Sequence, residues 1–217
     1  FYHIDFSFDE LRLGGSAFAQ SQGCIGSDVP TVKNPDYFRD AFNAVQELVN
    51  KGLILAGHDI SAGGLITTLL EMTFANTEGG IDVNLDKFKT DDLVRVLFAE
   101  NPGVVVQISD AHKKEFKNIL DEAGVGYVKL GTPAEERQIM VSLGDATYQF
   151  GIDYLRDIWY ETSYLLDTKQ SLHGCAKKRY ENYKQQPLEY HIHPEFTGKF
   201  KQFGLDPNRR KPSGIKA

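Results

Sequence analysis

Residues 34–70 constrain the fold most tightly. Asn34-Pro35-Asp36 opens a helix. Asn34 supplies a capping side chain, Pro35 sits where no amide hydrogen is needed, and Asp36 lies at the positive end of the dipole. Phe38, Ala41, Phe42, Val45, Leu48 and Val49 then recur at three-and-four spacing, and Gly52 stands where a glycine ends a helix. The apolar run Leu53-Ile54-Leu55-Ala56 follows without alternation, which predicts a strand buried on both faces. A second helix is predicted from about Ala62 to Ala75, so the polar hinge GHDISAGGL (residues 57–65) joins strand to helix. A chain that changes period this fast must lay helices on a sheet.

The rest of the sequence extends the pattern. Short strands are expected at His3 to Phe6 and Leu11 to Leu13, the latter running into Gly14-Gly15-Ser16. Ile81-Asp82-Val83 alternates as a strand, residues 90–98 read as helical, and Gly103 to Ile108 is a strongly apolar strand. Asp110 is expected to cap a helix reaching about Ala123. Gln138 to Leu143 and Thr147 to Phe150 form a hairpin around Gly144-Asp145-Ala146. An amphipathic helix carries Ile152, Leu155, Ile158, Trp159, Thr162, Leu165 and Leu166. The fold class is therefore α+β, a layered α/β arrangement with a mixed sheet covered by helices. Three segments are expected: a domain over 1–150, a helical extension over 151–184, and an irregular connector over 185–217 studded with Pro187, Pro194, Pro207 and Pro212.

Of 217 residues, 41% are apolar and 25% charged, enough for one sizeable core. No apolar run approaches the roughly 20 residues of a membrane helix, and the N-terminus lacks the pattern of a signal peptide, so a soluble, cytoplasmic setting is expected. Cys24 and Cys175 lack metal-like spacing and read as free thiols. A chain that begins at Phe1 and stops at Gly214-Ile215-Lys216-Ala217 reads as a piece of something longer. Residues 1–170 carry 14 basic against 26 acidic side chains, while residues 171–217 carry 10 against 4. An acidic body argues against nucleic acid as partner, because that binding neutralises phosphates with a basic face. The basic tail suits a linker, or an arm on an acidic neighbour.

The hinge carries the chemistry. A tight strand-to-helix turn leaves backbone N–H groups unpaired at the helix start, a ready anion site. Ser61 is placed to be the N-cap. Gly63 and Gly64 in a first turn suggest close approach to the backbone by a phosphate or a neighbouring chain, since each glycine costs about 1 kcal/mol against alanine in a helix. Asp59, at the carboxyl end of the strand, is either a magnesium ligand or a helix cap, and His58 either takes part or fills a polar niche. Gly14, Gly15 and Ser16 offer a second glycine turn that could cradle a phosphate, though a plain tight turn reads the same. Glu100, in Glu100-Asn101-Pro102-Gly103, is expected at a sheet end near the cleft or simply solvated.

With GHDISAGGL beside LGGSAFAQ and the later FAENPGVVVQI, the sequence resembles the phosphoribosylformylglycinamidine synthases. More narrowly, over roughly residues 10–150 it is similar to the second of the C-terminal-type domains these enzymes share with aminoimidazole ribonucleotide synthase, selenophosphate synthetase and the hydrogenase maturation protein. Trp159-Tyr160-Glu161-Thr162-Ser163 and Arg209-Arg210-Lys211-Pro212 are similar to the segment leading to the glutaminase domain of the long form. The resemblance implies Asp59 as a magnesium ligand, Ser61 with Gly63 and Gly64 at a nucleotide, and Gly14, Gly15 and Ser16 at a substrate or phosphate cleft. It implies ATP or ADP and Mg2+ as cofactors. The implied partners are ATP-binding and glutaminase domains of one longer chain, with formylglycinamide ribonucleotide as substrate and neither nucleic acid nor membrane. One departure stands out: Ala62 replaces an acid common in the motif, which weakens any proton-transfer role for the loop. Two other readings remain open, a structural nucleotide-binding module and the equivalent domain of aminoimidazole ribonucleotide synthase or selenophosphate synthetase; ordinary scaffold is a third.

Overall fold

A computed structural model describes residues 1–88, 90, 92–182 and 199. The described residues up to Asn182 belong to one compact unit, and the expected connector over 185–217 lies outside the described residues apart from Lys199. Two four-stranded sheets organise the unit. The first contains β1 (Tyr2–Asp5), β2 (Ile54–Asp59), β4 (Gly103–Ile108) and β5 (Tyr127–Lys129), in the order β2-β4-β1-β5 with all neighbours antiparallel. The second contains β3 (Gly80–Asn84), β6 (Gly131–Ala134), β7 (Gln138–Leu143) and β8 (Ala146–Gly151), in the order β6-β3-β7-β8. There β3 runs parallel to β7, and its other neighbour β6 is antiparallel, as is the β7–β8 hairpin. The expected α+β class holds.

Side-chain alternation along β1 and β4 divides the core in two. Tyr2, Ile4 and Val106 pack with Ala41, Ala44 and Leu48 of α2 (Pro35–Asn50) and with Phe116, Ile119 and Leu120 of α5 (Lys113–Glu122). Val105 belongs instead to the cluster of Leu65, Ile66 and Leu69 from α3 (Gly64–Phe74), Val96 and Leu97 from α4 (Leu93–Phe98), and Ile81, Val83, Ile139 and Val141 from the second sheet. The first sheet thus has α2 and α5 on one face and the α3 cluster on the other, and α3 is apolar nearly all round because it lies inside that cluster. Helix α6 (Ile152–Gln170) leans on α3 and is followed by α7 (Cys175–Asn182).

Several expectations need correction. Leu53–Ala56 is not a strand buried on both faces: β2 is the edge strand of its sheet, and Leu55 is 61% exposed. Residues 11–13 form no strand; a short helix α1 (Ala17–Ser21) follows the glycine turn instead. Ser109, not Asp110, caps the next turn, a short 3₁₀ segment over Asp110–His112 that leads into α5. The helix expected over 90–98 starts at Leu93, because the Asp92 carboxylate accepts the Arg95 N–H and closes its first turn. Cys24 and Cys175 are free thiols.

Candidate functional site

The hinge begins where β2 ends. Asp59 is the last residue of β2, and α3 starts five residues later at Gly64, so the Asp59 carboxylate is too far along the chain to cap that helix. It is exposed, with the His58 ring 3.6 Å away. Its main-chain oxygen, by contrast, is held twice: Thr68 Oγ1 donates to it at 3.1 Å and His58 Nδ1 lies 2.7 Å from it. The backbone at Asp59 is fixed while its carboxylate faces outward.

Ser61 is not the N-cap, contrary to the sequence reading. Its main-chain oxygen accepts the Gly64 N–H at 3.0 Å, and Gly63 occupies the cap position at φ 91°. The hydroxyl of Ser61 is exposed and takes no partner among the described residues. The glycine pair follows from this backbone. Both glycines have positive φ, which L side chains rarely adopt, and a Cβ on Gly64 would lie 2.7 Å from Leu97 O and 2.8 Å from the Phe98 backbone. The close approach at Gly64 is made by the end of α4, and Gly63 is crowded by the Thr67 side chain of α3.

Gly14, Gly15 and Ser16 have structural duties of their own. A Cβ on Gly14 would fall 2.5 Å from Asp28 O, and Gly15 has φ +73°. Ser16 is buried; its hydroxyl donates to Leu13 O at 2.6 Å and accepts the Ala19 N–H at 3.2 Å, capping α1.

Glu100 joins the two glycine turns. One oxygen, Oε1, accepts the Ala17 N–H at 2.7 Å and the Gly63 N–H at 2.8 Å, so a carboxylate of this same chain already serves a donor at each turn. Its neighbour Asn101 is buried and ties down the N-terminal segment, accepting from Arg12 N–H at 3.1 Å and donating to Glu10 O at 2.9 Å. The sequence reading reached Glu100 only as a sheet-end acid, since its partners lie 83 and 37 residues away. Because Glu100 is partly exposed, Glu100→Gln is expected to cost about 1 kcal/mol as two charge-assisted bonds weaken. A lower urea midpoint with an unchanged m-value measures it.

Among the described residues no three His, Cys, Asp or Glu side chains gather as a metal cluster. Asp59 offers one exposed carboxylate, which suits a magnesium ion that takes its remaining ligands from water, polyphosphate and other protein groups.

Residues 7–143 match the family described as AIR synthase related protein, C-terminal domain. The chain belongs to that family. Against named proteins, this AIR synthase related domain is 36% identical over 184 residues to an Arabidopsis thaliana protein called "Probable phosphoribosylformylglycinamidine synthase, chloroplastic/mitochondrial", covering 84% of this chain and 13% of that one. It is 34% identical over 179 residues to the human phosphoribosylformylglycinamidine synthase, covering 80% of this chain and 13% of the relative. The domain therefore spans about an eighth of the relatives' length. In structure it resembles Thermotoga maritima PurL complexed with FGAR (TM-score 0.55, 19% identity, 71% of this chain and 27% of that one) and the same protein complexed with ATP (TM-score 0.54, 17% identity, 71% and 25%). At such identities these likenesses establish the fold.

Proposed function

We propose that this domain forms one wall of a magnesium–nucleotide cleft in a glutamine-dependent phosphoribosylformylglycinamidine synthase. In that reaction ATP phosphorylates the formyl amide oxygen of formylglycinamide ribonucleotide, and ammonia released from glutamine then displaces phosphate. The observation that carries the reading is Asp59: an outward carboxylate on a pinned backbone, two residues before the uncommitted Ser61 hydroxyl. The relatives' names and the family match support it. Asp59 would hold the metal, Ser61 would donate to the nucleotide, and the glycine turns would shape the wall. A magnesium ion there would offset polyphosphate charge, as phosphoryl transfer requires. One carboxylate cannot hold metal and triphosphate alone, so ATP-binding domains of a longer chain would complete the cleft and a glutaminase domain would supply ammonia. The 217-residue chain by itself is expected to turn nothing over. A cytoplasmic setting belongs to the same reading; among the described residues no helix is long and apolar enough to cross a membrane.

A structural nucleotide site is the second reading. It is favoured by Ala62, which puts no acid between Ser61 and the glycine pair. Asp59→Asn in the complete synthase chain separates the two. A tenfold weaker nucleotide affinity removes about 1.4 kcal/mol of stabilisation by saturating ADP. Loss of turnover with ADP stabilisation kept marks a catalytic cleft, and loss of ADP stabilisation with turnover kept marks a structural one. Neither change would leave the hinge as scaffold and end the proposal.

A further inference from the structure

Helix α6 begins beyond the residues that match the family, yet its tryptophan reaches back to the hinge. Trp159 Nε1–H donates to Glu71 Oε1 at 2.8 Å, and its ring packs on Phe74 with centroids 5.3 Å apart. The other carboxylate oxygen, Glu71 Oε2, lies 3.2 Å from His58 Nε2. His58 Nδ1 in turn lies 2.7 Å from the Asp59 main-chain oxygen. The imidazole thus faces an acceptor oxygen at each nitrogen, the Asp59 main-chain oxygen at Nδ1 and the Glu71 carboxylate at Nε2. A glutamate on a helix surface has three side-chain torsions and little reason to keep one setting. Here an indole, itself wedged against Phe74, selects the setting in which the second oxygen meets His58.

We propose that Glu71 is a positioning residue for His58, that Trp159 positions Glu71, and that α6 thereby steadies the main chain at Asp59 from outside the family segment. The relay stands on these contacts alone and does not require the nucleotide reading. It gives α6 a task at the hinge beyond covering α3.

The chain contains one tryptophan, so the side-chain N–H signal in an NMR spectrum belongs to Trp159 without ambiguity. His58→Ala touches neither Trp159 nor Phe74. It is expected to shift that signal and to speed hydrogen exchange of the indole about threefold, as the shared carboxylate loses its second partner. In a Glu71→Leu background the same substitution at 58 should leave the signal unmoved. Glu71→Gln, which keeps the side chain's shape, serves in the same way should the leucine variant fail to fold. An indole signal that ignores His58→Ala in the native background overturns the relay, and so does one that moves equally with Glu71 absent, because the coupling would then run by another route.

Discussion

Gly64→Ala is expected to lower the stability of this domain by about 3 kcal/mol. Two costs combine. A non-glycine residue at φ +71° is strained by about 1 to 2 kcal/mol. The new Cβ would also press on Leu97 O and the Phe98 backbone at 2.7–2.8 Å, and those atoms cannot yield like a flexible side-chain tip. The end of α4 would have to move away from α3, opening the cluster that holds Leu65, Leu69 and Leu97. Gly52→Ala isolates the first cost, because Gly52 has φ +68° with nothing within 4 Å of the added carbon. At about 2–4 °C per kcal/mol for a protein of this size, Gly64→Ala should melt roughly 6–12 °C lower and Gly52→Ala roughly 2–8 °C lower. Equal shifts would show that the approach of α4 contributes nothing and would leave the glycine pair to be explained by a ligand.

That comparison bears on what sequence could disclose about the hinge. Local signals were legible. Asn34 caps α2 through Oδ1 to the Asp36 and Tyr37 N–H groups, and the hairpin turns at Gly144, where φ is +57°. Both depend on neighbouring residues, as capping and turn chemistry do. Ser61 failed as a cap because the rule that places a hydroxyl ahead of a helix cannot see that Gly63 already occupies the cap in a left-handed conformation. The apolar run at 53–56 failed differently. Leu53 is buried before the strand begins and Leu55 lies exposed on an edge, yet an edge strand and a central one present the same letters. Residues 127–134 were missed because two strands of three and four residues, the second containing Pro133, carry no usable period; proline is tolerated there because β6 is an edge strand.

The site divides along the same line. Asp59 and the glycine turns were visible because motif and hinge are contiguous in sequence. Glu100, which binds donors at both turns, and Glu71, which links His58 to Trp159, act across long separations that periodicity does not register. The hinge is assembled by three carboxylates with different tasks. Asp59 faces out, Glu100 is spent on backbone N–H groups, and Glu71 is spent on side chains.

His3 should make the fold acid-sensitive between about pH 6.5 and 4. It lies on β1 and is buried, with its ring 5.7 Å from Phe88. Burial lowers its pKa from 6.5 to about 4, against a smaller upward pull from Asp5. The unfolded chain therefore takes up a proton at position 3 as pH falls through 6.5, while the folded chain refuses it until about 4. Wherever the unfolded state binds more protons, stability falls with falling pH. The contribution is complete above pH 6.5 and is lost progressively down to about 4, by which point the loss totals about 3 kcal/mol, or roughly 6–12 °C in melting temperature. Asp9 and Asp86 do not obscure this. Hydrogen bonds, from the Glu10 backbone to Asp9 and from Asn84 to Asp86, hold both carboxyls below 3.8, so their contributions disappear only in stronger acid. Thermal unfolding of the native chain between pH 7 and pH 4.5 should slope steeply, and His3→Gln should flatten that slope. A variant as acid-sensitive as the native chain would show that the proton responsible binds elsewhere.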